Sequence, residues 1–145
     1  DLYGGMGTMA ILLSSLTKKI YSIDCVPSAI EDGKANLKLN NISNVSFYLN
    51  TVRKFLSEKM RISDLPIGED TLVIVDPPRE GLTDNVIKKL IQWNPHHLFY
   101  VSCNPKALAR ELPLLSECYT CINCKAYDFF PHTPHVETLL WLTRK

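Results

Sequence analysis

Short apolar runs alternate along the chain with segments in which apolar residues recur every three or four positions. The first pattern predicts strands and the second predicts helices. Residues 71–75 (TLVIV) form a continuous, largely β-branched apolar run, which is typical of a strand buried on both faces of a parallel sheet. Repeated strand–helix units of this kind predict an open, mostly parallel α/β sheet.

The other elements follow the same alternation. Further strands are predicted at Lys19–Asp24, Val45–Leu49, Leu98–Ser102, Tyr119–Asp128 and Glu137–Thr143, helices at Met6–Leu16, Pro27–Leu39, Val52–Lys59, Asp84–Trp93 and Lys106–Leu115, and a loop over residues 61–70. Since no helix separates the last two strands, we expect them to close the sheet as an antiparallel hairpin. Asp1–Tyr3 has the character of a strand end, so we expect the first strand to be largely truncated and the chain to be a fragment.

The composition is that of one soluble domain. The 145 residues suffice for a single core, and 46% hydrophobic with 21% charged residues is ordinary for a globular protein. A net charge of +1 does not by itself indicate nucleic-acid binding, although an upstream RNA-binding region could carry the basic charge. No apolar run is long enough to span a bilayer, and we expect a cytoplasmic protein.

The cysteines and histidines do not form a convincing metal site. The spacing of Cys118, Cys121 and Cys124 would suit an iron–sulfur cluster, but a fourth ligand is not apparent. In a strand, alternation would send Cys118 and Cys124 to one face and Cys121 to the other. His132 and His135 also lack further ligands. We therefore predict no metal here and, in an intracellular setting, free thiols.

Polar residues and glycines follow the predicted strands. Gly5 and Gly7 come after the first strand, Asp24 ends the second, and Asp76 and Cys103 follow two later ones. In an open α/β sheet, ligands bind beyond the carboxyl ends of the strands. We therefore expect these residues to form one functional site.

The glycine loop is consistent with an adenosyl ligand. Gly5 and Gly7 let a ligand approach the backbone closely, and Asp24, about twenty residues on, can accept hydrogen bonds from ribose hydroxyls. A tight strand-to-helix turn would explain the two glycines equally well. Ala10 stands where a dinucleotide loop has a third glycine, so an adenosyl group without phosphates fits better.

Three further motifs carry reactive side chains. Two prolines stiffen the turn after Asp76 and fix the Asp76 carboxylate and the Arg79 guanidinium in a crevice. The alternative is that Asp76 caps the next helix and Arg79 forms an ion pair on the surface. Cys103 lies in a polar turn before a helix, which favours a nucleophilic thiolate over a buried apolar role. Glu137 follows a proline-rich turn and is either a general base or a strand-edge carboxylate.

Four runs together resemble the S-adenosylmethionine-dependent RNA (uracil-5-)-methyltransferase family, whose members act on tRNA and rRNA. They are DLYGGMG at 1–7, DPPREGL at 76–82, VSCNP at 101–105 with LAR at 108–110, and DFFPHTPHVE at 128–137. The resemblance implies a Rossmann-like class I methyltransferase catalytic domain over residues 1–145, with the upstream RNA-binding regions absent. It also implies RNA as partner, with tRNA and rRNA both open.

The resemblance implies a role for each motif. Cys103 would add to C6 of uracil, and Glu137 would remove the C5 proton after methyl transfer. Asp76 would lie between cofactor and uracil, and Arg79 would bind the substrate. The remaining cofactor residues would be Tyr3, Gly5, Gly7, Thr8 and Asp24. The target base must leave its stack to reach the thiol.

Some positions depart from the family pattern. Gly4 replaces the usual cysteine, Thr8 a common asparagine, and Asn50–Thr51 the usual Gly-Asp. The change at Asn50–Thr51 implies that the adenine end of the cofactor is held differently. Two alternatives stay open. The first is a truncated, non-catalytic module that binds only cofactor or RNA. The second is a dehydrogenase, which the missing third glycine and Cys103 disfavour.

Overall fold

The computed structural model describes residues 1–61 and 68–145 and divides into two compact units, residues 1–55 and 56–145. Most of the loop predicted over 61–70 lies outside the described residues. In the described ranges, every helix is too short or too polar to be a bilayer span. The prediction of one catalytic domain over residues 1–145 remains a prediction.

The first unit contains a pair of parallel strands with helices before, between and after them. Its elements are α1 (Thr8–Leu13), which continues as a 3₁₀ turn over Ser14–Leu16, β1 (Ile20–Asp24), α2 (Pro27–Leu39), β2 (Val45–Leu49) and the start of α3 (Val52–Arg61). β1 and β2 are parallel, and Leu2 forms a parallel bridge to Ile23. The predicted strands and helices of this unit are confirmed, most to within two residues.

The second unit contains a four-stranded mixed sheet. Its elements after α3 are β3 (Leu72–Val75), α4 (Asp84–Trp93), β4 (His97–Ser102), α5 (Pro105–Leu115), β5 (Tyr119–Tyr127) and β6 (Glu137–Arg144). The strand order is β3-β4-β6-β5, with β3 and β4 parallel and the other neighbours antiparallel. The predicted antiparallel hairpin is confirmed. The insertion of β6 between β4 and β5 could not be predicted from the local pattern.

A β-bulge overturns one expectation for the cysteines. The β5–β6 register shifts after Cys121, so Cys121 pairs with Leu142 and Cys124 with Leu140. The extra residue, Ile122, moves Cys124 onto the same face as Cys121, and the predicted separation of these two thiols was wrong. Among the described residues, no three His, Cys, Asp or Glu side chains are grouped so as to hold a metal ion.

A buried glutamate fixes the turn that follows β3. Glu111 of α5 is 2% exposed, and its Oε2 accepts hydrogen bonds from the Tyr100 hydroxyl at 2.6 Å and from the Leu82 backbone N–H at 3.1 Å. Arg110 donates to Glu111 Oε1 at 2.9 Å and to the Glu80 carbonyl at 2.8 Å. A buried carboxylate is stable only when its oxygens are satisfied in this way, so this cluster joins the turn to β4 and α5.

We predict that Glu111→Ala destabilises the full-length protein by about 3–5 kcal/mol, because the buried Leu82 N–H, the Tyr100 hydroxyl and the Arg110 guanidinium lose their acceptor. Thermal unfolding measures the effect as a lower Tm. The matched control is Glu80→Ala in the same turn, an exposed position where the change should be within about 0.5 kcal/mol. Equal Tm values for the two variants would contradict the assignment.

Candidate active site

The predicted site residues fall into two groups, one in each unit. Tyr3, Gly5, Gly7, Thr8 and Asp24, which were predicted to bind the cofactor, lie in the first unit. The four residues in the second unit are Asp76, Arg79, Cys103 and Glu137. Asp76, predicted to contact both cofactor and substrate, therefore lies in the same unit as the catalytic candidates.

Asp24 organises the glycine loop. Its Oδ2 accepts a hydrogen bond from the Gly5 backbone N–H at 2.9 Å, and its Oδ1 accepts one from the Val26 backbone N–H at 2.8 Å. Each carboxylate oxygen has a second acceptor site, so the half-exposed side chain can still receive hydroxyl donors from a ligand. Asp24 thus ties the end of β1 to the loop and keeps acceptor capacity.

The two glycines of the loop have different surroundings. Gly5 has φ +55°, and a Cβ placed on it would meet no atom within 4 Å, so its surface is open. Gly7 has φ +81°, and a Cβ there would lie 2.8 Å from Cε1 of Phe47. A Cβ on Gly33 would lie 2.5 Å from Cζ of the same ring. Gly7 is therefore required by packing against Phe47, whereas Gly5 leaves room for a ligand.

The neighbouring positions explain one departure from the family pattern. A Cβ on Gly4 would collide with the Ser22 hydroxyl oxygen and lie 2.5 Å from Oδ2 of Asp1, to which Ser22 donates at 2.8 Å. A cysteine in place of Gly4 would therefore require the Ser22 and Asp1 side chains to move. Tyr3 has the left-handed φ of +66°, and the exposed Thr8 is the first residue of α1.

Strand pairing brings Cys103 and Glu137 together. In the antiparallel β4–β6 ladder, Ser102 is paired with Thr138. Cys103 directly follows Ser102 in a bend, and Glu137, the first residue of β6, directly precedes Thr138, so the register continued by one residue sets Cys103 opposite Glu137. Residues directly opposite in antiparallel strands have neighbouring side chains on one face of the sheet. The thiol and the carboxyl group therefore lie at one end of two adjacent strands, and both residues are partly exposed.

Asp76 lies at the same edge of the sheet. It directly follows β3, which pairs with β4 through Val75 and Tyr100. Partial burial of its carboxyl group raises the pKa of Asp76 above the ordinary 3.8, and the nearby negative charge of Glu137 raises it further. The residue as a whole is exposed, so the shift reflects the surroundings of the carboxyl group. The two carboxylates are thus close enough to influence each other.

Arg79 and Asn104 connect the motifs around the thiol. Asn104 donates from Nδ2 to the Arg79 carbonyl at 2.9 Å, and its Oδ1 caps α5 by accepting from the Lys106 backbone N–H at 3.1 Å. The Arg79 guanidinium lies 3.1 Å from Nδ1 of His135. Arg79 therefore bridges the turn that carries Cys103 and the segment that leads to Glu137.

The sequence did not predict the cap by Asn104 or the burial of Glu111, and for His135 it indicated packing or substrate contact without a partner. Asn followed by Pro is a recognisable start of a helix, so the cap by Asn104 could have been identified. No local pattern distinguishes the buried Glu111 from an exposed helix residue, and its role depends on distant partners. The Arg79–His135 contact joins residues 56 positions apart and left no sequence signal.

Sequence comparison identifies related proteins. The pattern of the family described as tRNA (Uracil-5-)-methyltransferase matches residues 1–145, the whole chain. An uncharacterized RNA methyltransferase of Clostridium acetobutylicum is 43% identical over 146 residues, covering 100% of this chain and 30% of the relative. An uncharacterized RNA methyltransferase of Bacillus cereus is 38% identical over 143 residues, covering 98% and 30%. The chain thus spans 30% of the length of these relatives.

Comparison with solved structures gives the fold. The tRNA (uracil-54, C5)-methyltransferase of Pyrococcus abyssi, in complex with S-adenosyl-L-homocysteine, has TM-score 0.81 and 34% identity and covers 99% of this chain and 33% of its own. The N-methyltransferase NodS of Bradyrhizobium japonicum has TM-score 0.72 at 17% identity, covering 97% and 74%, a likeness of fold alone. The predicted Rossmann-like class I methyltransferase fold is confirmed. Because the family pattern extends over every residue, the chain belongs to the tRNA (uracil-5-)-methyltransferase family, as its motifs predicted.

Proposed function

We propose that the chain is the catalytic part of an enzyme that methylates C5 of a uridine in tRNA or rRNA through a covalent adduct with Cys103. The observation that carries the proposal is the β4–β6 register, which sets Cys103 and Glu137 at neighbouring strand ends. A nucleophile and a base so arranged can act on adjacent atoms of one pyrimidine ring. Family membership supports RNA uridine as the substrate.

Cys103 acts as the nucleophile. C5 of uracil is a weak nucleophile, so a direct attack on a methyl group is slow. Addition of the thiolate to C6 forms an S–C6 bond and moves the electrons of the C5–C6 double bond toward C5. This covalent step divides one difficult reaction into easier ones. The hydrogen bond from Asn104 to the Arg79 carbonyl holds the turn next to the thiol in place.

Glu137 acts as the general base. After C5 has gained the methyl group it carries both that group and its original hydrogen. The Glu137 carboxylate takes this proton, the C–H electrons restore the C5–C6 double bond, and the S–C6 bond breaks to release the Cys103 thiolate. A positioned base contributes about 10²–10⁴-fold to such a step.

S-Adenosylmethionine supplies the methyl group when it is bound, and the first unit has features that fit it. Gly5 leaves open space above the backbone, and Asp24 can accept hydrogen bonds from ribose hydroxyls. Tyr3, Gly7 and Thr8 shape the same loop. The Pyrococcus abyssi neighbour was crystallised with S-adenosyl-L-homocysteine, the demethylated form of this cofactor.

Asp76 and Arg79 bind the uracil in this proposal. Burial and the charge of Glu137 raise the pKa of the Asp76 carboxyl group. As a carboxylate, Asp76 can accept a hydrogen bond from the N3–H group of uracil. The exposed Arg79 guanidinium, beside His135, adds a positive charge that suits an RNA substrate.

We predict that Cys103→Ala in the full-length protein lowers kcat for RNA methylation by at least about a thousandfold, because the covalent step is lost. Binding of S-adenosylmethionine, measured by calorimetry, should stay within about threefold of wild type. RNA that contains 5-fluorouridine should form a covalent adduct with the wild-type protein, since C5 then carries no removable proton.

The matched control is Cys121→Ala, which removes an exposed thiol of β5 and should leave both methylation and adduct formation unchanged. Retained turnover in Cys103→Ala would exclude Cys103 as the nucleophile. An active enzyme that never traps 5-fluorouridine RNA would exclude the covalent route.

We predict that Glu137→Gln lowers the pKa of Asp76 without returning it to 3.8, because the substitution removes the charge of Glu137 and leaves the larger effect of burial. Carboxyl ¹³C NMR of protein labelled at aspartate, assigned with Asp76→Asn, follows the titration. At pH values between the ordinary pKa of 3.8 and the raised pKa, the folded protein binds more protons than the unfolded chain. The contribution of Asp76 to the free energy of unfolding therefore falls as the pH rises through this window. An unchanged titration in Glu137→Gln would show that the two carboxylates do not interact.

A further inference from the structure

The hairpin that leads into Glu137 carries exposed aromatic side chains that the proposed chemistry does not use. Phe129 is 65% exposed and Phe130 is 54% exposed, although both are large apolar residues. Tyr127, the last residue of β5, is also exposed. Large apolar side chains grouped on a surface next to a site mark a place where something binds.

Two of these rings form a flat stack. The ring centroids of Tyr127 and Phe129 are 5.7 Å apart, and the ring planes are inclined by only 7°. The following turn is fixed because the backbone N–H of Thr133 donates to the Phe130 carbonyl at 3.2 Å and its hydroxyl donates to the same oxygen at 2.7 Å. The stack therefore directly precedes a hydrogen-bonded turn, and Phe129 presents an accessible ring.

The stack is adjacent to the proposed general base. Tyr127 is the direct cross-strand partner of Glu137 in the β5–β6 ladder. Lys125, two residues earlier and paired with Leu139, lies on the same strand face as Tyr127. A ligand on the stack would thus adjoin the site on one side and a positive charge on the other.

We propose that Tyr127 and Phe129 form a stacking platform for an unpaired RNA base that flanks the target uridine. The inference rests on the proposed function, because it takes RNA as the substrate. The target base must leave its stack to reach Cys103, so a neighbouring base loses a stacking partner. Proteins bind such bases on flat aromatic rings with little dependence on sequence, and the ammonium group of Lys125 suits the adjacent phosphate.

The test uses the full-length protein and a single-stranded RNA nonamer with central 5-fluorouridine, 2-aminopurine on one side and adenosine on the other. We expect Phe129→Ala to weaken nonamer binding, measured by fluorescence anisotropy, by about fivefold to a hundredfold. It should also relieve the quenching of 2-aminopurine that stacking on the ring produces. Replacing the flanking base that stacks with an abasic residue should weaken binding to the wild-type protein by a similar factor. With this abasic RNA, Phe129→Ala should cause no further loss of binding.

Three variants serve as controls. Phe129→Trp keeps a flat ring and should bind as well as wild type, whereas Phe129→Leu keeps the apolar surface without the ring and should behave like Phe129→Ala. Ile122→Ala removes another exposed apolar side chain of β5 and should not change binding.

A different set of results would overturn the platform. If Phe129→Leu binds the nonamer like wild type, or if Phe129→Ala lowers Tm while binding is unchanged, the patch packs against another part of the protein. Stacking would also be refuted if the losses of binding free energy caused by Phe129→Ala and by the abasic residue simply add when both changes are made. Adduct formation by Cys103 in the same nonamer reports the proposed chemistry separately, so the two ideas can fail independently.

Discussion

The antiparallel pairing of β4 with β6 is the constraint on which the proposed chemistry depends. Because Ser102 pairs with Thr138, the residues just beyond this pair are Cys103 and Glu137, which are 34 positions apart in the sequence. If the two hairpin strands were exchanged in the sheet, β6 would be the edge strand and β5 would separate Glu137 from the thiol. A single register thus brings two separate motifs to the same end of the sheet.

The turns around this pair are held by side chains rather than by the sheet alone. Glu111 fixes the turn after β3 through Leu82 and Tyr100, and Asn104 joins that turn to the start of α5. These contacts use a buried carboxylate and a capping amide, whose loss leaves donors unsatisfied. The contacts that position the turns at this edge of the sheet therefore also stabilise the fold. Substitutions in these contacts should change both the geometry of the turns and the free energy of unfolding.

Most of the fold could be predicted because the strands and helices here follow strong local patterns. The bounds of α2, β2 and α4 were predicted to the residue, since Pro27, the β-rich run at Val45–Leu49 and the amphipathic α4 signal them locally. The position of β6 in the sheet, the bulge at Ile122 and the burial of Glu111 depend on distant partners and gave no local signal. The motifs identified the candidate residues, whereas their relation in space required the strand register.

The most direct test of the central claim is the fate of ordinary uridine RNA with Glu137→Gln and S-adenosylmethionine. If Cys103 and Glu137 act on one ring, the thiolate adds and C5 is methylated, but the proton is not removed and the S–C6 bond persists. Mass spectrometry should then find RNA that carries the new methyl group attached to the peptide containing Cys103. Turnover at the wild-type rate, or an inactive variant that forms no adduct while still binding RNA and cofactor, would contradict the account.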